Sequence, residues 1–488
     1  MRAALGSLFI VVVSCMMLSG QSQTGSAERP LAFTHITVID ATGSPAQPDM
    51  TVLVTGNRIS ALGKFGTVAI PSNAQVTDAR GRFMIPGLQE MHTHVFIRAK
   101  KSFPLYTLSL FVANGVTGVR DFGSTGEKDD FGDYPFRQDV EWRQAVSAGA
   151  ILGPRINMSL TVVNGPRVEG YPRSWLTVAD AAQAREMVKF LKDQGADFIK
   201  EYDQLSRESY FALADEAKRQ NIPFAGHVPI LVTAAEASDA GQRSLEHNYG
   251  VLSGCSSKES EMMAKERDLF GPGKGTMRGL LPLEDMKALT SSYSEEKCKG
   301  LFARFVKNNT FVTPSMLRAR GSAVPSTDPR VVKWFSPALR EYSYPASRQP
   351  RPPSPEAVET RRLMYEYHSR LVKEMQRSGV KMLVGTDDSF FGTSLHEELV
   401  ELVKAGLTPM EALQIATKNA AEYYGKLDSS GTVEKGKVAD LVLLDANPLE
   451  SIENTEKISA VVLNGRMLDR KELDRLLAQV ESPNHISR

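Results

Sequence analysis

Between residues 86 and 425, short apolar stretches alternate with stretches of helical periodicity, and this alternation constrains the fold most strongly. Strands that alternate with helices favour a parallel sheet, because parallel neighbours need a long crossover connection. Eight such strands can close into a (β/α)₈ TIM barrel. The predicted strands are residues 84–94, 115–121, 155–163, 196–202, 222–228, 243–248, 310–317 and 380–387. The sequence therefore predicts an α/β fold.

Helix signals agree with this pattern. A periodic run opens at Asp180 and closes at Gly195, and residues 408–411 (TPME) form a capping box with proline at the first helical position. Two long segments, 252–299 and 321–357, interrupt the alternation. We predict that both are insertions over the mouth of the barrel, where loops determine specificity.

The two ends of the chain have a different pattern. Residues 31–85 alternate short apolar strands with turns, and residues 439–445 and 458–467 do the same near the other end. We predict that these segments pair into one small β-sandwich domain, with the barrel inserted between its two parts. The predicted divisions are 28–85 and 426–470 for the sandwich, 86–425 for the barrel and 471–488 for a C-terminal tail.

Residues 1–27 resemble a secretory signal peptide. A basic start precedes an apolar run too short to span a bilayer, and small residues allow cleavage after Ser22 or Ala27. The alternative is lipidation of Cys15, because residues 12–15 (VVSC) resemble a bacterial lipobox. We therefore expect a periplasmic or secreted protein, with a lipoprotein as the alternative.

The charge balance limits the classes of binding partner to be expected, and the cysteine content bears on a possible disulfide. Lys plus Arg total 58 and Asp plus Glu total 57, so the balance does not predict binding to nucleic acid, or to a membrane unless Cys15 is lipidated. A homo-oligomer is compatible with the sequence. Cys255 and Cys298 can form a disulfide in an oxidising compartment, or remain two separate buried thiols.

Four of the eight histidines lie at the ends of predicted strands. His92 and His94 are two residues apart in one strand, so their side chains share a face. His227 and His247 end two further strands, and all such ends open onto one face of a barrel. Each alone is more often a core or loop histidine. Four together indicate a metal site, because zinc needs imidazole and packing does not.

Two further strand ends carry charged residues. Asp387 ends the last strand, where it can be a simple helix cap or a metal ligand that also transfers protons. Lys200 ends an otherwise largely apolar strand. In another protein it would reach solvent or pair with Glu201, but beside two metal ions an ammonium would be repelled, so its charge must be lost.

With these residues in place, the sequence resembles the amidohydrolase superfamily, in the group of imidazolonepropionase-like proteins and Xaa-Pro or other Xaa-amino-acid dipeptidases. The resemblance covers nearly the whole mature chain. It includes four further motifs: LHEEL at 395–399, AGLTP at 405–409, ATKNAA at 416–421 and GKVADLVLLDANPL at 436–449.

The resemblance implies two divalent ions, with zinc as the expected metal. Lys200 would be N-carboxylated and bridge both ions. His92, His94 and Asp387 would hold the first ion, and His227 and His247 the second. Imidazolonepropionase itself and the deaminases use one metal without this lysine, so Lys200 favours the binuclear, dipeptidase-like branch.

The function predicted is metal-dependent hydrolysis of an amide bond in a small molecule, most simply a dipeptide of the Xaa-Pro type or an N-acyl amino acid. A hydroxide that bridges the metals would attack the carbonyl, and Asp387 would carry the proton to the leaving amine. One departure from many dipeptidases is the absence of a tyrosine shortly after His227.

Substrate contacts and alternatives complete the prediction. A substrate carboxylate needs a cation, for which Arg120, Arg155, Arg318 and His396 are the candidates near strand ends. The enzymatic alternative is hydrolysis of a cyclic amide or lactam. A further alternative is an inactive binding protein on the same fold, which metal analysis would distinguish.

Overall fold

The computed structural model describes residues 29–96, 103–123, 136–167, 175–275, 277–321, 353–387 and 392–481. The predicted signal peptide, including Cys15, and most of the second predicted insertion lie outside these residues. None of the described helices is both long enough and apolar enough to cross a bilayer.

The strands of the described residues come in two groups, one at the ends of the chain and one in the middle. They are β1 (Leu31–Val38), β2 (Gln47–Thr55), β3 (Arg58–Lys64), β4 (Gln75–Asp78), β5 (Phe83–Pro86), β6 (Leu88–Thr93), β7 (Val116–Asp121), β8 (Arg155–Met158), β9 (Val162–Asn164), β10 (Leu176–Thr177), β11 (Ile199–Glu201), β12 (Phe224–Gly226), β13 (Ser244–Glu246), β14 (Phe311–Thr313), β15 (Leu441–Leu444), β16 (Ile458–Leu463) and β17 (Arg466–Asp469).

Most of the described helices lie between the strands of the middle group. They are α1 (Phe103–Ala113), α2 (Phe136–Ser147), α3 (Ala181–Asp193), α4 (Arg207–Arg219), α5 (Ala234–Asp239), α6 (Val251–Gly254), α7 (Glu259–Phe270), α8 (Leu283–Ser291), α9 (Glu295–Asn308), α10 (Met316–Arg320), α11 (Pro355–Arg377), α12 (Thr393–Lys404), α13 (Pro409–Ile415), α14 (Lys418–Tyr423) and α15 (Arg470–Glu481). Asp180 caps α3, and Thr408 and Glu411 form the predicted capping box of α13. Helix α15 occupies most of the segment predicted as a tail.

Strands from both ends of the chain form one mixed sheet, here called the terminal sheet. Its order is β17-β16-β15-β5-β1-β2-β3, with β4 beside β1. The two ends meet where β15 runs antiparallel to β5, with Leu441 opposite Pro86. The two terminal segments therefore pair as predicted, but they hydrogen-bond into one continuous sheet instead of the two sheets that a sandwich requires.

Strand β15 is buried on both faces because it lies between two cores. Leu441 and Leu443 pack in the core of the terminal sheet, whereas Val442 and Leu444 pack in the main core of the molecule. Alternate side chains of a strand point to opposite faces, so a four-residue apolar run can serve both cores. This explains why the sequence here is uniformly apolar.

The middle strands are parallel and lie in two sheets. One has the order β6-β7-β8, and the other has the order β10-β9-β11-β12-β13-β14. Residues 380–387 connect β14 to β6: Met382 pairs with Val312 of β14, and Met91 of β6 donates a backbone hydrogen bond to Val384. The carboxyl ends of these strands consequently lie near one another.

The strand predictions differ from the structure in three places. Residues 84–94 divide at Gly87 into β5 of the terminal sheet and β6, because the chain passes from one sheet to the other there. Residues 155–163 divide into β8 and β9 in the same way. Residues 380–387 contain a single bridge in place of a strand.

The first predicted insertion contains helices α6 to α8 and the beginning of α9. Cys255 and Cys298, both buried, form a disulfide that closes a loop of 43 residues. Of the two arrangements that the sequence left open, the structure has the disulfide. This bond ties α9 to the end of α6 and so holds the insertion together.

Replacing both cysteines by alanine should lower the free energy of unfolding by about 2–5 kcal/mol, because the disulfide restricts the unfolded chain. Urea denaturation of both proteins, with and without dithiothreitol, measures this. Reductant should destabilise the parent chain and leave the variant unchanged. Two free thiols in the denatured, unreduced chain lacking residues 1–27 would contradict the disulfide.

Candidate metal centre

Six polar side chains converge at the carboxyl ends of the parallel strands. They belong to β6 and β11, to the residues directly after β6, β12 and β13, and to the end of the segment 380–387. These are His92, His94, Lys200, His227, His247 and Asp387. The sequence predicted this set from strand ends together with the family resemblance, and the structure brings all six side chains together.

Three of the six side chains form a compact group of potential ligands. One ligand atom from each of His92, His94 and Asp387 lies within 4.8 Å of the others. Oδ1 of Asp387 is 3.3 Å from Nε2 of His94 and 3.8 Å from Nε2 of His92. Two imidazoles and a carboxylate are a donor set that suits a divalent transition metal such as zinc.

The other three side chains lie beside this group. Nε2 of His247 is 3.4 Å from Oδ2 of Asp387, and the ring of His227 is centred 5.0 Å from that of His247. Nζ of Lys200 lies 4.5 Å from the centre of the Phe122 ring. Asp387 therefore contacts histidines of both groups.

Lys200 is a buried amine without a hydrogen-bond partner among the described residues. Burial lowers the pKa of Lys200 to about 8, although the surrounding carboxylates act in the opposite direction. A buried, unpartnered ammonium is costly, whereas the neutral amine is a nucleophile. The residue thus fits a role in which its positive charge is removed.

Three histidines have Nδ1 fixed by an acceptor. Nδ1 of His92 lies 2.8 Å from Glu246, Nδ1 of His94 lies 2.8 Å from the carbonyl of Gly123, and Nδ1 of His227 lies 2.9 Å from Asp203. Each acceptor selects the tautomer with the proton on Nδ1, so that Nε2 is free to bind a metal. Such outer partners also set the orientation of each ring.

Electrostatics keep most of these imidazoles neutral and Asp387 ionised. Burial lowers the pKa of His92 to about 4 and the pKa values of His227 and His247 well below their usual range. For His94, burial is outweighed by the contact with Asp387, and the pKa is raised. Burial of Asp387 is likewise outweighed, chiefly by Arg318, and its pKa is well below the usual range.

The backbone around the centre is unusual for its residue types. His247, Asn248, Ser315 and Asp387 all have positive φ angles, between 49° and 60°. Such conformations are uncommon without glycine and concentrate at functional sites. Gly385 allows close packing here, because a Cβ at this position would lie 2.6 Å from Cβ of His92.

A cavity of about 440 Å³ opens beside the ligand group. Its wall combines ligands and polar residues with apolar side chains. The lining residues include His247, Tyr249, Arg278, Leu280, Arg318, Arg320, Arg361, Met364, His368, Asp387 and Glu397. This volume lies in the range typical of sites for small molecules.

Of the four predicted substrate contacts, Arg318 lines this cavity. It donates a hydrogen bond of 2.6 Å to Oδ2 of Asp387. Arg120 is instead fully buried, and it bonds the carbonyl of Met91, Ser244 and Glu246. Arg120 therefore contacts other protein groups in the interior and does not reach the cavity.

Arg155 and His396 also lie away from the cavity. Arg155 begins β8, at the amino end of the parallel strands, and its Nε lies 3.0 Å from Asp440. His396 is buried in α12, where its nitrogens contact the hydroxyl of Thr455 and the carbonyl of Asn114. These two residues and Arg120 are therefore not part of the cavity wall.

Sequence reasoning missed three residues that the structure places at the centre. Tyr249 lines the cavity, with its ring 4.6 Å from that of His227, and hydrogen-bonds Arg318. Glu246 and Asp203 orient His92 and His227. The available signal was position in the sequence: Glu246 and Tyr249 lie within two residues of His247, and Asp203 lies three residues after Lys200.

Comparison with known proteins agrees with this geometry. Residues 340–468 match the amidohydrolase family. Ochratoxinase of Aspergillus niger is 32% identical over 95 residues, 19% of this chain and 20% of that protein. Imidazolonepropionase of Pyrobaculum arsenaticum is 43% identical over 77 residues, 15% of this chain and 19% of that protein. The alignments thus span about a fifth of these relatives.

The fold has a wider likeness. The crystal structure of a Xaa-Pro dipeptidase with bound methionine superposes with a TM-score of 0.64, covering 90% of this chain and 100% of that one at 20% identity. The predicted resemblance to amidohydrolases and the TIM-barrel-type α/β fold are thereby confirmed.

Two buried glutamates, Glu201 on β11 and Glu246 on β13, should respond differently to replacement by glutamine. Glu246 is ionised between Arg120 and His92, and these partners outweigh burial and lower its pKa to about 2. Burial instead raises the pKa of Glu201 well above its usual range, and its oxygens lack hydrogen-bond partners among the described residues.

We expect Glu246→Gln to lower the free energy of unfolding by about 3–5 kcal/mol, because it leaves the Arg120 cation buried without a counter-charge. Glu201→Gln should change it only slightly, since it replaces a carboxyl that is already neutral. Denaturant titrations at neutral pH measure both. Equal losses for the two variants would show that the charge of Glu246 is not what matters.

Proposed function

From its amidohydrolase match and dipeptidase-like fold, we propose that this protein is a metal-dependent hydrolase that cleaves an amide bond in a dipeptide or an N-acyl amino acid. The observation that carries the proposal is the convergence of four imidazoles, one carboxylate and an unpartnered buried lysine at one rim of parallel strands. Packing alone does not require this set of groups.

Two ion positions are proposed from the two groups of ligands. His92, His94 and Asp387 would hold the first ion, and His227 and His247 the second, with a carboxylated Lys200 between them. Divalent ions, zinc being the expected species, would acidify water and withdraw electrons from the substrate carbonyl. Proton transfer and the orientation of the substrate would depend on side chains that line the cavity.

Carboxylation accounts for the charge of Lys200. The neutral amine adds to the carbon of CO₂ through its lone pair, and the nitrogen loses a proton to solvent, so that a carbamate anion forms. Burial favours this step because it lowers the pKa of Lys200 to about 8, which leaves a fraction of the amine uncharged near neutrality. The side chain thereby changes from a cation to an anion, and the carbamate has two oxygens that could bind metal ions.

Asp387 is the proposed proton carrier. Its carboxylate is ionised, lies at the edge of the cavity and contacts His94, His247 and Arg318. It can accept a proton from the attacking water and deliver it to the leaving nitrogen. Tyr249, which the sequence did not indicate, lines the same cavity, and in this proposal its hydroxyl would donate a hydrogen bond to the substrate carbonyl.

The substrate class and location are supported by two further findings. The Xaa-Pro dipeptidase that shares the fold holds methionine in its active site. The disulfide between Cys255 and Cys298 is of a kind that persists in oxidising compartments, which supports the proposed periplasmic or secreted location.

Screening tests the reaction directly. Purified protein loaded with zinc or manganese should hydrolyse members of a panel of dipeptides and N-acyl amino acids, with products identified by mass spectrometry. Chelation should abolish this activity and metal should restore it. Absence of turnover in a protein shown to contain metal would refute the proposed reaction.

Lys200→Ala should lower the metal content and reduce turnover to the background rate, because the anion between the two ion positions cannot form. The fold should remain, since the apolar core is unchanged. Formate or acetate should restore part of the activity by supplying a carboxylate in the vacated space. Lys189→Ala, on exposed α3, is the matched control and should behave like the parent.

Full activity and metal content in Lys200→Ala would contradict the carbamate. A crystal structure of the active, metal-loaded protein near neutral pH provides the second measurement. Density for an unmodified Lys200 would contradict the two-metal centre and favour a hydrolase with a single metal ion.

A further inference from the structure

The cavity wall contains four arginines, and their ionic partners distinguish them. Arg278 lies 2.5 Å from Glu266 and 3.5 Å from Asp203. Arg320 lies 3.1 Å from Glu397. Both guanidinium groups are therefore neutralised by carboxylates of the protein.

Arg318 is occupied as well, because it donates to Oδ2 of Asp387 at 2.6 Å. Arg361 is different. It is exposed and lines the cavity, and no carboxylate of the described residues pairs with it. Among the described lining residues, it is the one guanidinium left for a ligand.

The adjacent arginine on the same helix provides a contrast. Arg362 lies 2.7 Å from Glu359 and 2.5 Å from Glu366, one turn before and after it on the surface of α11. Salt bridges of this kind along one helix are common at a surface. Arg361, one residue earlier, faces the cavity instead.

The surroundings of Arg361 suit an amino acid. Arg361, Met364 and His368 follow a spacing of three and four residues along α11, which places them on one face of the helix, and all three line the cavity. Burial lowers the pKa of His368 to about 4, so that it adds no positive charge. Leu280, from the insertion, adds a second apolar side chain to the wall.

We propose that Arg361 binds the free carboxylate of the substrate's leaving amino acid, and that Met364 and Leu280 contact its side chain. This inference rests on the proposed function, since it places the leaving amino acid in the cavity beside Asp387. The substrates preferred would be dipeptides or N-acyl amino acids with an apolar C-terminal residue and a free carboxylate.

Two physical facts favour this assignment. A guanidinium presents paired N–H groups that match the two oxygens of a carboxylate. An arginine that already pairs with a protein carboxylate would have to give up that partner to bind substrate, and Arg361 would not. C-terminal amides, which lack the negative charge, should bind poorly.

A binding experiment tests this independently of turnover. The ligands are a leucyl-phenylalanine analogue with a reduced, uncleavable peptide bond, as the free acid and as the C-terminal amide. Calorimetry on the metal-loaded protein should give tighter binding of the acid by about 10- to 100-fold. In Arg361→Ala this ratio should fall to about one, and in Arg361→Lys it should lie between the two.

Arg362→Ala is the matched control and should keep the ratio of the parent. A ratio unchanged in Arg361→Ala would overturn the assignment, as would equal binding of acid and amide by the parent protein. The hydrolysis panel addresses the reaction separately. If no peptide is cleaved but the ratio depends on Arg361, the proposed function fails while the carboxylate site stands.

Discussion

The buried ion pair between Glu246 and Arg120 is the interaction on which the rest of the centre depends. Arg120 lies on β7 and Glu246 on β13, and the neutral ring of His92 on β6 completes the contact, so three strands meet through polar side chains inside the apolar interior. A charge in such a place is tolerated only with its partners. The pair therefore fixes the strands relative to one another and, through Glu246, the ring of His92. The ion pair matters more for the positions of these strands and of the His92 ring than for the net stability of the fold.

The parallel strands have two regions with different roles, the interior of the sheets and the carboxyl ends of the strands. In the interior, Arg120 and Glu246 neutralise one another and accept or donate their hydrogen bonds within the protein. At the carboxyl ends, His94, His247 and Asp387 have donor atoms that face each other and the cavity. Positive φ angles at His247 and Asp387 turn the chain sharply after the strands. The carboxyl ends of the strands thus carry the candidate ligands, while the interior residues hold the strands in place.

The sequence predicted the convergence of the candidate ligands because their positions follow from two simple rules: alternate strand residues share a face, and parallel strands end together. It did not predict which of the four candidate substrate contacts line the cavity, because those rules do not say which end of a strand a residue occupies. Arg155 begins its strand and therefore lies at the wrong end, and Arg120 pairs across the interior. Arg361 is on a helix distant in sequence, so its approach to the cavity depends on tertiary packing. The single terminal sheet depends likewise on how β5 meets β15.

Lys200 and Glu201 show how one strand can hold two buried ionisable groups in different states. Successive side chains point to opposite faces, so of these two residues Lys200 is the one that faces the candidate metal centre. Burial acts on both residues: it lowers the pKa of the lysine to about 8 and raises that of the glutamate well above its usual range. The carboxylates around Lys200 oppose this effect and prevent a larger fall. A much lower pKa would make the amine a weaker nucleophile, and an ordinary one would leave it protonated. The balance between burial and nearby negative charge is therefore what supports the proposed carboxylation of this lysine.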